Sequence, residues 1–202
     1  MVLLAGTYAF RGTSTEDVLR VRGLVVVDSL GHERVVIGSP LARVSSNPRM
    51  QGAEGIVVLD SAGRLQTAIG YNTPLIFRTG APGRRVGAAT GLTFYDPRTG
   101  GERGGIGAMG DGRATACLDY GTKDKEAVCL AVAPDDQYGA VIVNGTPTEE
   151  AFDRIVMFAA ADGSGSIKVF GGKQNRSGVM LRAGKGPASV TLYDSTGKAI
   201  SP

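Results

Sequence analysis

The sequence predicts an all-β protein of successive antiparallel hairpins, arranged as a sandwich, a barrel or a repeat-like stack, with one short helix. Three observations predict it. Glycine supplies 31 of 202 residues, about twice ordinary usage, and glycine opposes helix and favours chain reversal. A unit made of a short aliphatic run, an Asp, a polar turn with Gly and a second apolar alternation recurs along the chain. The apolar residues between turns come in strand-length blocks rather than with helical period.

Composition sets the outer bounds. With 42% hydrophobic and 20% charged residues, the chain is neither a disordered polyelectrolyte nor a membrane bundle. Its length suits one domain, read as a lead over residues 1–16 and a single hairpin-repeat domain over 17–202. The opening MVLLAGTYAF is too short for a bilayer span of about 20 residues and lacks the basic start of a signal peptide. It reads as a leading strand or as the tail of a longer apolar segment. Leu19 and Val21 alternate ahead of the first valine run, which favours strand there too.

Three copies of the unit are close: GLVVVDSLGHERVVIG (23–38), GIVVLDSAGRLQTAIG (55–70) and SVTLYDSTGKAIS (189–201). In each, Asp and Gly stand three apart, as Asp28 and Gly31, Asp60 and Gly63, Asp194 and Gly197. Asp at the start of a turn accepts backbone N–H groups further on, and Gly supplies the positive φ that reverses the chain. GLTFYDPRTGGERGGIG (91–107) is a looser copy, with Asp96 and Gly100 four apart. Further turns are expected at Asp119 with Gly121, at Asp162-Gly163, and at Gly184-Lys185-Gly186. Gly104 and Gly105 fit a close backbone approach or a bulge.

Thr146, Pro147 and Glu149 provide an N-cap, a proline at the first helical position and an acidic residue three after the cap, so a short helix is expected over 147–154. Loops rich in Gly, Pro, Ser and Asn are expected at 45–54, 78–88 and 171–178, where binding or oligomer contacts commonly lie.

A hairpin folded about Lys123 sets Cys117 and Cys129 opposite each other, at a distance where a disulfide is sterically possible. The alternative is two small buried hydrophobes, and a one-residue register slip removes the bond.

The chemistry of the side chains excludes more than it assigns. One His, His32 in a hairpin turn, is a poor basis for a Ser-His-Asp triad, and one His with two distant Cys does not make a zinc site; no metal and no cofactor are expected. Gly105–Gly110 matches G-x-G-x-x-G, but a strand follows where a dinucleotide site needs a helix. The charges, 22 basic against 19 acidic, are interspersed, with no cluster suited to nucleic acid. Asp96, Glu102 and Asp119 fall in adjacent hairpins and are the candidate residues for a carboxylate-dependent hydrolase acting on a glycan. Asp-led turns also leave open a carbohydrate- or calcium-binding domain, though they lack the D-x-D-x-D cadence of a calcium loop.

The order VLRVRGLVVVDSLGHERVVIG, GLTFYDPRTGGERGGIG, ATACLDYGTKDKEAV, YGAVIVN, KVFGG and VTLYDSTGKAI resembles a family of uncharacterised bacterial β-hairpin repeat proteins with a D-x-x-G-x-x-R opening and a G-T-E-N-G-G-like core segment. The resemblance runs over about residues 17 to 201, on Gly91, Phe94, Tyr95, Asp96, Gly100, Glu102, Gly104 and Gly105, with Asp119, Tyr120 and Asp124 matching approximately. Gly101 and Arg103 depart from the pattern. The resemblance implies a β fold and no reaction.

Runs such as GLVVVD and AVIVN are continuously apolar, as strands buried on both faces are, so either a sandwich interior or an intersubunit face is expected, the second implying a homo-oligomer with a trimer among the arrangements. The sequence therefore reads as a non-catalytic structural or binding module, self-associating, with a protein or glycan partner and no membrane span, located outside the cytoplasm.

Overall fold

The computed structural model describes residues 20–41, 53–77, 79, 81, 83, 88–121, 125–134, 137–145, 153–171 and 176–200. Fourteen strands form one antiparallel sheet in which every strand pairs with its sequence neighbours and the first and last do not meet. They are β1 Gly23–Val27, β2 Glu33–Gly38, β3 Glu54–Leu59, β4 Leu65–Tyr71, β5 Ala89–Tyr95, β6 Glu102–Met109 and β7 Ala114–Asp119. Then come β8 Glu126–Val132, β9 Tyr138–Asn144, β10 Asp153–Ala160, β11 Gly165–Gly171, β12 Ser177–Ala183, β13 Ser189–Tyr193 and β14 Ala199–Ile200. Among the three expected arrangements this is the open stack. A sandwich needs strands that leave one sheet for another, and a barrel needs β1 against β14; here all fourteen strands share one sheet with β1 and β14 at its two ends.

The turns have the chemistry the repeated unit implies. Asp28 Oδ1 accepts the N–H groups of Leu30 and His32, both at 2.9 Å, while Gly31 sits at φ 84°. Asp60 repeats this with Ala62 at 2.8 Å and Arg64 at 2.9 Å, and Asp194 with Thr196 at 2.8 Å and Lys198 at 3.0 Å. At Asp96 the loop is one residue longer, and the N–H of Gly100 donates to the Asp96 carbonyl at 2.7 Å. A register shift precedes each of the Asp28, Asp60, Asp96 and Asp119 turns, the extra twist of a bulge feeding the reversal.

The expected helix at 147–154 is overturned at its end: Asp153 and Arg154 open β10, and residues 146–152 lie outside the described residues, as do 1–16 and most of the three expected loops. The stretch from Arg20 to Arg22 is not strand, and β1 starts at Gly23. Gly105–Gly110 lies on β6 and the turn that follows it, with no helix start for a phosphate.

Burial is concentrated at one end of the sheet and on one of its faces. Val36, Val57, Ala68 and Thr93 stand side by side in register on β2 to β5 and are all buried. Leu41, Ala53, Leu59, Leu65, Ile76 and Tyr95 complete this cluster. The segment ahead of β5 is strapped down over it: Tyr95 donates its hydroxyl to the Pro74 carbonyl, Thr73 and Thr93 share a hydroxyl bond of 2.8 Å, and the N–H of Glu102 donates to the Ile76 carbonyl at 2.7 Å. From β7 to β14 no described strand residue is buried. β1, expected to be buried on both faces, is exposed along its whole length, because it is the sheet's edge and none of the described residues covers it.

A row of glycines crosses the same end. Gly23, Gly38, Gly55, Gly70, Gly91 and Gly107 are successive cross-strand partners on six strands. At Gly70, φ is 148°, and a Cβ would lie 1.9 Å from the Glu54 carbonyl oxygen. Gly104 is likewise held against backbone, with φ 135° and the Cys117 carbonyl oxygen at 2.2 Å from an added Cβ, the close approach expected of it. Gly105 would meet the Leu92 carbonyl oxygen at 2.6 Å.

Candidate interaction surface

Side chains alternate across a strand, and register decides which ones share a face. On the face opposite the buried cluster, the partners run Leu24, Ile37, Ile56, Ile69, Leu92, Ile106, Ala116, Leu130, Val141, Met157, Ile167, Leu181 and Val190. This row crosses thirteen consecutive strands without a polar residue. A parallel row two residues along reads Val26, Val35, Val58, Thr67, Phe94, Gly104, Leu118, Val128, Val143, Ile155, Val169, Val179, Leu192 and Ile200.

Most of these side chains are exposed. Leu118 is 59% exposed, Ile106 57% and Leu130 52%. In β8 the pattern inverts what water normally imposes on a sheet: Val128, Leu130 and Val132 are exposed while Ala127, Cys129 and Ala131 are half-buried. Single exposed apolar residues carry no information, but a contiguous apolar face does.

On the other side of the first row, β6 to β12 carry small residues: Ala108, Ala114, Val132, Gly139, Ala159, Gly165 and Ala183. All of these but Ala108, with the large residues beside them, line a groove of about 1010 Å³. The face therefore has a ridge of branched and long side chains flanked by a trough.

Cys117 and Cys129, partners across β7 and β8, are joined by a disulfide with Cα atoms 4.2 Å apart. The bond lies on the face opposite the apolar rows and fixes the register of this hairpin, which carries Leu118, Val128 and Leu130 in the exposed rows.

The three carboxylates named for hydrolysis all stand at one edge of the sheet, at the end of β5, the start of β6 and the end of β7, but Asp96 is fully engaged. It is buried, accepts from Arg98 Nη2 at 3.0 Å and Arg103 Nη1 at 3.4 Å, and takes the Arg98 backbone N–H at 2.8 Å. The Arg98 guanidinium and that N–H hold its carboxyl far below the usual carboxylate range, against the upward push of burial. A general acid needs the opposite shift. Glu102 and Asp119 both have partners as well.

The other Asp turns follow the same logic. At Asp28 and Asp60 burial pushes the carboxyl up, and hydrogen bonds from His32 and Leu30, or from Arg64 and Ala62, outweigh it and leave both lowered. Asp194 is lowered first by the Thr196 hydroxyl. Their oxygens already hold the chain's own donors. Among the described residues no group of three or more His, Cys, Asp or Glu is placed to hold a metal ion.

Register is what sequence reading missed here. The signal was present in the sequence as same-phase apolar alternation in β6, β8, β11 and β12, but assigning those residues to one shared face requires the pairing of every strand. The Arg98 and Arg103 locks on Asp96 were also missed, although the D-x-R spacing recurs at Asp111, whose Oδ2 takes Arg113 Nε at 2.7 Å. Neither comparison with family models nor comparison with curated proteins finds a match.

Proposed function

We propose that this protein is a non-catalytic structural or interaction module that works by contact, with the apolar face of its sheet as the working surface. The observation that carries this reading is the pair of apolar rows: a face of branched aliphatic residues that water does not favour on a soluble chain calls for an occupant. The polar edge argues the same way from the other side. Asp96 is held as an anion between two guanidiniums, so the carboxylate hydrolase around Asp96, Glu102 and Asp119 lacks a proton donor at that position.

The test is side-chain footprinting with hydroxyl radicals under conditions where the protein is at work. A face that makes contact protects Ile106, Leu118, Leu130 and Met157 below the reactivity their exposure implies, while Leu30 in the first turn, 79% exposed, reacts fully. Full reactivity of all four would overturn the contact reading. A glycan- or calcium-binding domain predicts instead a thermal shift with those ligands and protection at the turns.

A further inference from the structure

Resting on that reading, we propose that the occupant of the apolar face is a second copy of this same chain, packed so that the branched ridge of one copy lies in the small-residue trough of the other. Area is the first argument. Fourteen strands at about 4.8 Å spacing make a face about 65 Å long, and the two long rows, each about 7 Å across, make it about 14 Å wide, or about 900 Å². The largest apolar patch on a typical monomer is about 300–600 Å², whereas a stable complex covers about 800 Å² on each partner. The face is therefore too large for a free surface and large enough for a stable one.

Shape and chemistry select the partner. A chain that carries both the ridge, at Ile106, Leu130, Met157 and Leu181, and the trough beside it, at Ala114 and Ala159, is complementary to itself, as closed symmetric association requires. Two such sheets pack face to face at about 10 Å, the spacing of an ordinary sandwich core, so association supplies the second layer that the described residues lack on this face. The two rows contain no charged residue, so no charge is desolvated along them. A lipid bilayer is the poorer occupant: the strands are at most 8 residues, short of the about 9–11 of a membrane strand, and the open sheet edges would leave unpaired backbone in hydrocarbon.

The test uses two neighbouring residues on β11 that point to opposite faces. Ile167 lies in the first apolar row, and Lys168 pairs with Val156 and Met180 on the other face. Multi-angle light scattering on the full chain is expected to give two chains or a higher multiple. Ile167→Glu and, independently, Leu130→Glu should weaken association by about 30-fold or more, the loss expected at a hot spot, while Lys168→Glu leaves it unchanged. Formation of the Cys117–Cys129 disulfide in each variant reports that the β7–β8 hairpin is in register.

An assembly that Ile167→Glu and Leu130→Glu leave intact, with the disulfide formed, overturns the assignment of copies to this face. A single-chain mass at all concentrations also overturns it, and footprinting then separates the two levels. Protection of Met157 in a single-chain protein means that the face is covered by something else and the contact reading stands; full reactivity removes both.

Discussion

The two classes of glycine give the sharpest quantitative expectation. In Gly70→Ala the new Cβ would lie 1.9 Å from the Glu54 carbonyl oxygen and 2.8 Å from Gly55 Cα. Ordinary contact begins near 3.4 Å, so β3 and β4 must separate by about 1.5 Å at a point where both are held by backbone pairing. Holding alanine at a φ of 148° costs about 1–3 kcal/mol, and each weakened ladder bond adds about 1 kcal/mol. Together these give about 3–5 kcal/mol, a large share of the about 5–15 kcal/mol that stabilises a typical domain.

Gly31→Ala provides the comparison. Its Cβ meets nothing within 4 Å, and only the left-handed turn conformation is unfavourable, at about 1–2 kcal/mol. Gly186 has open space and no positive φ, so Gly186→Ala should be neutral or stabilising by up to about 1 kcal/mol. Urea unfolding followed by circular dichroism at one fixed protein concentration ranks the three. If Gly70→Ala costs no more than Gly31→Ala, the close approach of β3 and β4 is wrong.

Other expectations follow from the same geometry. Replacing both Cys117 and Cys129 by Ala removes a cross-link between residues 12 apart and should cost about 3 kcal/mol in the chain-entropy description, read as a lower urea midpoint than that of the oxidised parent. Ile76→Ala empties a fully buried position on the strap and should cost about 2–5 kcal/mol, read in the same unfolding assay. Asp96→Asn should cost about 1–3 kcal/mol at neutral pH through its weakened bonds to Arg98 and Arg103. Because the folded Asp96 carboxyl is depressed, its contribution is complete above the unfolded value near pH 4 and declines as pH falls below it. Urea midpoints of parent and Asp96→Asn should therefore converge in acid; a constant gap would remove the ion-pair explanation.

Local chemistry was legible in the sequence, and long-range geometry was not. The Asp28, Asp60 and Asp194 turns are readable because the backbone N–H groups that each Asp side chain accepts lie within four residues of it. The β7–β8 hairpin was legible for the same reason, since Cys117 and Cys129 are symmetric about a short turn. Whether hairpins close into a barrel or remain an open stack depends on what β1 and β14 meet, and no local pattern reports that. The continuous valines of β1 were read as a doubly buried strand, a sound inference for a central strand that fails for an edge. The glycine row was invisible for a different reason: Gly23, Gly38, Gly55, Gly70, Gly91 and Gly107 are separated by 15 to 21 residues, and only register makes them neighbours. The same holds for the apolar rows, where the candidate surface is a property of pairing rather than of any one segment.

The strictly sequential strand order has a consequence for how such a chain can change. Because each strand meets only its neighbours in sequence, contacts are local for an all-β protein, which favours fast formation of each hairpin from the one before it. No strand has to be threaded between two others. A hairpin can therefore be gained or lost without rewiring the remainder, lengthening or shortening the sheet by about 9.6 Å, two strand spacings. Stability then scales with the number of adjoining units, as in stacked repeats, and the protein behaves as a ruler whose graduations are hairpins.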